Sequence, residues 1–410
     1  MVQRKDYLEL LQKWKDEQVI KVITGIRRCG KSTLLAMFQD SLRTQGIGAE
    51  QIISINFEEL EYEGLLDYKA LYGYIKERLH PEKTTYIFLD EIQQVADFQK
   101  CVDSLYVKQN VDIYITGSNA YLLSGELATL LSGRYVEINM LPLSFAEYCE
   151  MKNGSDKDAL LAEYMKNGGL PYVARLSGET EKVDMYLEGI YNTIIVKDIE
   201  ERQKRKEADQ NKRKINDLAL LKNISKFLAS SIGCPVSTKS IADFITSGGR
   251  SISQATVSDY VEALVEPYIF YPVERYDIPG KQLLRTSPKL YIVDLGIRRY
   301  LLPRKRYDLG ASLENVIFLE LLRRGYRVTV GKLGATEVDF VARKNDNVYY
   351  FQVTAAMVEE STFEREMAPL RAIQDNYPKF VITLDRYTLG NYDGIRVIHA
   401  IDWLLGKENI

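Results

Sequence analysis

The chain has 410 residues, 46% of them hydrophobic, and a formal net charge of -3 from 54 Lys and Arg against 57 Asp and Glu. This length predicts two or three domains, and the near balance of charge excludes a protein that binds nucleic acid over its whole surface. Four separated cysteines and two histidines supply neither a structural zinc site nor Ser-His-Asp or Cys-His catalysis. The charged N-terminus and the lack of an apolar run of roughly 18 residues predict a cytoplasmic protein without a membrane span.

The first predicted elements are an amphipathic helix over 4–18 and a buried strand containing Val22 and Ile23. The strand leads into G-x-x-x-x-G-K-S, the pattern of a phosphate-binding loop, and a helix over 31–45 follows. A strand before and a helix after are the context in which this motif binds nucleotide. The predicted nucleotide-binding residues are Gly25, Ile26, Arg27, Arg28, Cys29, Gly30, Lys31, Ser32 and Thr33.

Each fixed position of this loop has a physical reason. Gly25 and Gly30 allow backbone angles that turn successive N–H groups toward phosphate oxygens. Lys31 is positioned to reach the β- and γ-phosphates, and the Ser32 hydroxyl is a ligand for Mg²⁺. No N-K-x-D motif follows the loop, which favours ATP over GTP.

Strands and helices then alternate along the chain. Strands are predicted over 52–56, 85–90, 113–117 and 136–140, with helices over 65–79 and 98–109. Such alternation predicts a parallel sheet covered by helices on both faces.

An acidic pair, Asp90 and Glu91, ends the strand over 85–90. Ligands bind at the carboxyl ends of parallel strands, so Asp90 is predicted to hold the magnesium shell. Glu91 is predicted to be the base that activates the attacking water. A solvated acidic loop is the alternative, and the phosphate loop upstream argues against it.

The strand over 113–117 also ends in polar residues. Asn119 is the first candidate to orient the water or sense the γ-phosphate, and Ser118 is the second. The alternative is an N-cap for a predicted helix over 121–131, which is compatible with the sensing role.

These motifs together resemble the prokaryotic AAA+-type ATPases that carry a C-terminal domain of unknown function related to PD-(D/E)xK nucleases. The resemblance rests on GIRRCGKST at 25–33, FLDEIQ at 88–93, TGSNA at 116–120 and LPLSFAE at 141–147. It implies a five-stranded AAA+ core and homo-oligomeric assembly. It also suggests that Arg134 reaches a γ-phosphate, in its own site or a neighbour's, although a plain salt bridge explains that arginine equally well.

Residues 176–306 are predicted to form a helical connector and a winged helix. Two short amphipathic helices, over 240–245 and 253–264, flank a Gly-Gly turn, and a strand from 269 could begin the wing. The second helix contains no Lys or Arg but has Asp259 and Glu262, which disfavours contact with DNA phosphates. DNA and a protein partner both stay open as ligands of this region.

A local cluster of positive charge follows, formed by Arg298, Arg299, Arg304, Lys305 and Arg306. Five cations within nine residues predict a patch for a phosphate backbone or an acidic partner. A linker ahead of the last domain is the alternative.

The last predicted module, residues 307–410, is α/β, with a helix over 313–323 and strands over 326–330, 337–342, 348–353 and 380–384. By resemblance, Glu314 and Asp339 occupy two positions of a nuclease-like metal site. Gln352 and Thr354 stand where that family has an acid and a lysine. Since both differences remove charge, the site is predicted to be degenerate and the domain inactive.

The sequence therefore predicts an α/β protein: an AAA+-type P-loop domain over 1–175, a helical and winged-helix region over 176–306, and a nuclease-like domain over 307–410. The predicted function is Mg²⁺-dependent ATP hydrolysis that changes the arrangement of the later regions. The alternative is an ATP-gated switch or scaffold with little turnover.

Overall fold

The computed structural model of the protein describes residues 2–117, 131, 133–176, 180–194, 217–303 and 308–408. The chain divides into two compact units. The first comprises Met1–Pro142 and Glu266–Tyr268, and the second comprises Leu143–Val265 and Ile269–Ile410. The predicted domain boundaries at 175 and 306 both fall inside the second unit, so the three-way division stays a prediction about sequence modules.

The first unit is built on a five-stranded sheet in the order β2-β3-β4-β1-β5, and every pair in it is parallel. This confirms the predicted parallel sheet. The strands are β1 Ile20–Thr24, β2 Ile52–Asn56, β3 Thr85–Asp90, β4 Val111–Thr116 and β5 Tyr135–Asn139. The helices are α1 Lys5–Lys13, α2 Lys31–Thr44, α3 Tyr68–Lys76 and α4 Phe98–Tyr106.

Both faces of this sheet are buried, which is why its strands are almost continuously apolar. On one face, Phe38 of α2 packs its ring against Phe88 of β3 and Tyr114 of β4. The other face forms an apolar cluster that includes Leu71 of α3 and Val102 of α4. The helices thereby fix the sheet whose carboxyl edge carries the phosphate loop.

The second unit contains an eight-stranded mixed sheet in the order β12-β13-β11-β10-β9-β8-β6-β7. Its strands are β6 Phe270–Asp277, β7 Gln282–Ile292, β8 Arg327–Leu333, β9 Thr336–Lys344, β10 Asn347–Thr354, β11 Lys379–Thr383, β12 Gly390–Tyr392 and β13 Ile395–His399. Its helices are α5 Phe145–Lys152, α6 Lys157–Asn167, α7 Pro171–Arg175, α8 Thr180–Thr193, α9 Leu218–Ser230, α10 Thr238–Ser247, α11 Gln254–Val265, α12 Leu295–Leu301, α13 Leu309–Arg323, α14 Glu360–Arg371 and α15 Ala400–Leu404.

The second unit differs from the sequence prediction mainly in its strands. The helices predicted over 240–245, 253–264 and 313–323 and the strands β8, β9, β10 and β11 are present, each within a few residues of the expected bounds. The long strand β7 was not predicted, and it pairs antiparallel with β6 at the edge of the sheet. In the described parts of the chain, no helix is long and apolar enough to cross a membrane.

Candidate functional site

The loop between β1 and α2 has the backbone of an anion cradle. Gly25 and Gly30 have backbone φ angles of +140° and +108°, which residues with a Cβ rarely adopt. A Cβ on Gly25 would also lie 2.2 Å from the carbonyl oxygen of Met140. Both the conformation and the space therefore require glycine at position 25. A backbone curled in this way can direct successive N–H groups at a phosphate.

Lys31 is the first residue of α2, and its ammonium lies within the loop. Its Nζ donates hydrogen bonds to the carbonyl oxygens of Gly25, at 3.0 Å, and Ile26, at 3.3 Å. The side chain is buried, with 4% of the residue exposed. Ser32 and Thr33 follow on the first turn of α2, where the positive end of the helix dipole favours an anion.

The acidic pair lies at the same edge of the sheet, because β3 pairs in parallel with β4 and β4 pairs in parallel with β1. Ser32 is near enough to favour the ionised form of Asp90, as is Lys31, so the phosphate loop and the acidic pair face one another. Thr116, the last residue of β4, donates its hydroxyl to Asp90 and accepts the Glu91 backbone N–H at 3.0 Å. The Glu91 backbone adopts the left-handed conformation, with φ +55°. The Glu91 carboxylate accepts a hydrogen bond from Gln93.

The electrostatics of Asp90 reflect these neighbours. Burial raises the pKa of the Asp90 carboxyl, and the adjacent Glu91 adds to the rise. Hydrogen bonds from Ser32 and Thr116 and the charge of Lys31 favour the ionised form and oppose that shift. A divalent cation beside Asp90 would act in the same direction as Lys31, so the residues present fit a magnesium nucleotide.

Two supporting residues of this site were not predicted. Thr116 begins the TGSNA stretch at 116–120, but the sequence predicted no role for it, and only its position at the end of the neighbouring strand could have indicated one. Arg4, just before α1, is buried and donates to the carbonyl oxygens of Cys29, at 3.2 Å, and Leu141, at 2.8 Å. It thereby fixes the loop to the segment that follows β5.

Arg134 lies away from the loop of its own chain. It precedes β5, which is parallel to β1, whereas the loop follows the far end of β1. The two positions are separated by the length of a strand, roughly 17 Å at about 3.3 Å per residue. Its guanidinium is 3.7 Å from Asp103 and stacks over Tyr106. Asn119 and Ser118 lie outside the described residues.

The prediction that Arg298 and Arg299 face a partner is wrong. Arg298 is 3% exposed and donates to the Ala229 carbonyl oxygen and to Ser312 Oγ, both at 3.0 Å. Arg299 is 7% exposed and pairs with Asn167 and Asp184. Counting charges along the sequence overestimated the size of the exposed basic patch, because both arginines lie on α12 with their side chains buried. The other three cations of the cluster lie outside the described residues.

The second predicted site brings Glu314 of α13 and Asp339 of β9 to the same buried place, on either side of Lys289 of β7. Gln352 donates to Glu366 at 3.0 Å, and Thr354 donates to the Ala356 carbonyl oxygen at 3.0 Å. Within the described ranges, no group of three or more His, Cys, Asp and Glu side chains is arranged to hold a metal ion.

Comparison with known proteins agrees with the fold of the first unit. A family described as an AAA domain matches residues 17–149, and a domain of unknown function (DUF8612) matches residues 158–308. An uncharacterized protein of Haemophilus influenzae is 43% identical over 410 residues, covering 99% of both chains. One of Methanocaldococcus jannaschii is 30% identical over 380 residues, covering 87% of this chain and 79% of its own.

Among solved structures, a Walker-type ATPase of Pyrococcus abyssi aligns with a TM-score of 0.48 and 16% identity, covering 73% of this chain and 96% of that protein. None of these matches names a nuclease, so the predicted relation of residues 307–410 to nucleases stays a prediction.

Proposed function

We propose that this chain, which belongs to one family with the uncharacterized Haemophilus and Methanocaldococcus proteins and contains an AAA domain over residues 17–149, is a Mg²⁺-dependent ATPase. We infer further that hydrolysis changes the conformation of its second unit. The observation that carries the proposal is that the phosphate loop, with the buried Lys31 ammonium inside it, and the acidic pair Asp90–Glu91 lie at the same edge of one parallel sheet. These are the two motifs that a P-loop ATPase needs side by side.

The proposal assigns a chemical role to each of these side chains. The loop amides and Lys31 bind the phosphates, while Ser32 and Asp90 would hold Mg²⁺, which supplies charge stabilisation when bound. Glu91 accepts a proton from water, and its position is fixed through its backbone N–H by Thr116. Thr116 also orients the Asp90 carboxylate.

A phosphate-release assay tests this assignment. Glu91→Gln removes the base but keeps the shape, so turnover is expected to fall by about 10²- to 10⁴-fold while ATP still binds. Hydrolysis by Glu91→Gln at the wild-type rate would remove Glu91 from the mechanism. A wild type that binds ATP without measurable turnover would favour the ATP-gated switch instead.

We place the contact of Arg134 with the γ-phosphate on a neighbouring subunit of a homo-oligomer. Its position before β5, at the edge of the sheet opposite its own loop, supports a role in trans. Mixing tests it, since Lys31→Ala retains Arg134 while Arg134→Ala retains an intact loop. The mixture is expected to hydrolyse ATP although neither variant does so alone; no recovery, or full activity of Arg134→Ala alone, argues against the role.

Coupling to the second unit is supported by residues Glu266–Tyr268, which pack within the first unit although the chain on both sides belongs to the second. The Tyr268 hydroxyl donates to Glu137 Oε1 at 3.4 Å, and Thr24 donates to the same oxygen at 2.9 Å. Thr24 directly precedes Gly25. A shift of the loop on nucleotide binding therefore has a short path to the connection between α11 and β6.

For the later regions, we propose a winged helix and an inactive nuclease-like domain, with a protein partner favoured over DNA. The exposed positions of α11 include Gln254, Ala255, Ser258 and Glu262, and none is cationic. Arg250, just before this helix, pairs with Asp217. Metal-dependent DNA cleavage that is lost in Asp339→Ala would contradict inactivity, and salt-sensitive DNA binding would contradict the preference for a protein.

A further inference from the structure

A buried arginine lies between the phosphate loop and the place where the chain leaves the first unit. Arg4 is 4% exposed, and its Nη1 donates to the Cys29 carbonyl oxygen at 3.2 Å. Its Nη2 donates to the carbonyl oxygens of Leu141, at 2.8 Å, and Pro142, at 3.4 Å. Residues 140–142, the exit segment, directly precede the start of the second unit. One guanidinium therefore holds the phosphate loop and the exit segment together.

The N-terminal helix and the loop itself add contacts with the exit segment. Tyr7 of α1 has its ring centre 4.9 Å from Cζ of Arg4, and its hydroxyl accepts the Leu141 backbone N–H at 3.0 Å. Arg4, Tyr7 and Leu141 are all buried. At Gly25 the loop lies so close to Met140 that a Cβ would meet the Met140 carbonyl oxygen at 2.2 Å. A movement of the loop would therefore disturb the exit segment.

The peptide groups that accept hydrogen bonds from Arg4 are rigid. A trans peptide directs its carbonyl oxygen and its N–H to opposite sides. Because the carbonyl oxygen that precedes Gly30 faces Arg4, the N–H of Gly30 points away from the guanidinium. The Pro142 carbonyl oxygen also faces Arg4, so the Leu143 N–H points away as well. That N–H donates to the Gly169 carbonyl oxygen at 2.8 Å, inside the second unit. Arg4 thus orients two peptides, one in the loop and one where the chain passes into the second unit.

We propose that Arg4 is a positioning residue for ATP binding and that it couples the phosphate loop to the exit segment. By holding the peptide before Gly30, Arg4 keeps the Gly30 N–H directed at the space for a phosphate oxygen. When ATP displaces this peptide, the same guanidinium moves the peptide between Pro142 and Leu143. The inference rests on the proposed ATP site, and it is separate from the connection between α11 and β6.

ATP affinity and turnover test the positioning role on the full chain. Arg4→Lys keeps the positive charge, but a lysine ammonium lacks the planar fork whose two terminal nitrogens reach the loop and the exit segment. Its Kd for ATP is expected to rise about tenfold, because hydrogen bonds from a charged donor that shape the loop are lost. Its kcat at saturating ATP should stay within about threefold of wild type, since Asp90 and Glu91 are unchanged.

Hydrogen exchange with and without saturating ATP tests the coupling. In wild type, ATP is expected to slow exchange in peptides covering 26–34 and in those covering 140–143. In Arg4→Lys the slowing over 26–34 should remain, whereas the slowing over 140–143 should be lost. An arginine with only a structural role would lower the melting temperature and leave both responses in place. Tyr7→Phe keeps the ring but loses the acceptor for the Leu141 N–H, so it should diminish the response over 140–143.

Arg78→Lys is the matched control. Arg78 also donates to a carbonyl oxygen, that of Tyr74 at 3.0 Å, and its guanidinium lies 3.6 Å from the centre of the Tyr74 ring. It lies between α3 and the start of β3, whereas the loop follows the opposite end of the parallel strands. Arg78→Lys is therefore expected to match wild type in ATP affinity and in both exchange responses.

Two results would overturn the inference. One is a folded Arg4→Lys that binds ATP with the wild-type Kd. The other is a slowing of exchange over 140–143 that persists at the wild-type level in Arg4→Lys and in Tyr7→Phe; if Arg4→Lys does not fold, Tyr7→Phe alone decides. A wild type that binds no ATP would contradict the proposed function before any variant is compared, so the two failures are distinguishable.

Discussion

Each of the two sheets places a lysine ammonium beside acidic side chains, but the surroundings of the two lysines differ. Lys31 donates to backbone carbonyl oxygens of its loop, those of Gly25 and Ile26, and Asp90 accepts the Thr116 hydroxyl instead. Lys289 contacts the carboxylates directly. An ammonium held by carbonyl oxygens keeps its charge available to an incoming anion, whereas one enclosed by carboxylates is already neutralised. The first arrangement suits ligand binding, and the second suits structural support.

The largest expected effect separates these two lysines. Lys31→Ala should weaken ATP binding by about 100-fold or more, because a buried charge partner of the phosphates is lost. Lys289→Ala should bind ATP like wild type and unfold at a lower temperature. Calorimetric titration with ATP measures the affinity of each variant, and thermal unfolding measures its melting temperature. Equal effects of the two substitutions on ATP affinity would remove the distinction.

A second prediction concerns the pH dependence of stability caused by a buried acid in the second unit. Asp294, the N-cap of α12, accepts N–H groups of Gly169 and Gly296, yet burial raises its pKa to about 6 from 3.8. A raised folded pKa gives stability that is complete below about pH 4 and lost as pH rises through about 6. The loss should approach about 3 kcal/mol, since each pKa unit is about 1.4 kcal/mol.

Denaturant unfolding at pH values from 4 to 7 measures this loss. Asp294→Asn cannot ionise, so its unfolding free energy should vary less over that range. The same slope in wild type and variant would show that other groups set the pH dependence.

A smaller effect tests the support of the acidic pair in the first unit. Thr116→Val keeps the shape but loses the hydroxyl that bridges Asp90 and the Glu91 N–H, so turnover should fall about tenfold. Thr116→Ser retains the hydroxyl and should stay near the wild-type rate. If valine and serine behave alike in phosphate release, the hydroxyl bridge has no role in catalysis.

The smallest effect on activity is expected at Tyr268. Tyr268→Phe loses one hydrogen bond to Glu137, so ATP affinity should change by less than about threefold. The nucleotide-dependent change in hydrogen exchange over residues 254–277 should nevertheless diminish. Tyr387→Phe, at a position that is 90% exposed, is the matched control. If the nucleotide-dependent change in exchange is the same in Tyr268→Phe as in wild type, the Tyr268 hydrogen bond does not couple the phosphate loop to the second unit.

The sequence predicted the features that depend on residues close together along the chain. The strand, loop and helix from Ile20 to Thr44 follow from local spacing, and Asp90 and Glu91 follow from their place after an apolar strand. Thr116 acquires its role only when β4 pairs with β3, and a threonine at a strand end carries no such signal. Lys289 belongs to β7, an unpredicted strand, so its approach to Glu314 and Asp339 could not be foreseen.

The most direct test of the central claim is the effect of Mg²⁺ on ATP affinity, measured by calorimetry on wild type and on Asp90→Asn. If the loop and the acidic pair hold one magnesium nucleotide, Mg²⁺ should tighten ATP binding to wild type, and Asp90→Asn should lose most of that gain while still binding ATP. A wild type that binds no ATP, or an equal Mg²⁺ effect in both proteins, would contradict it.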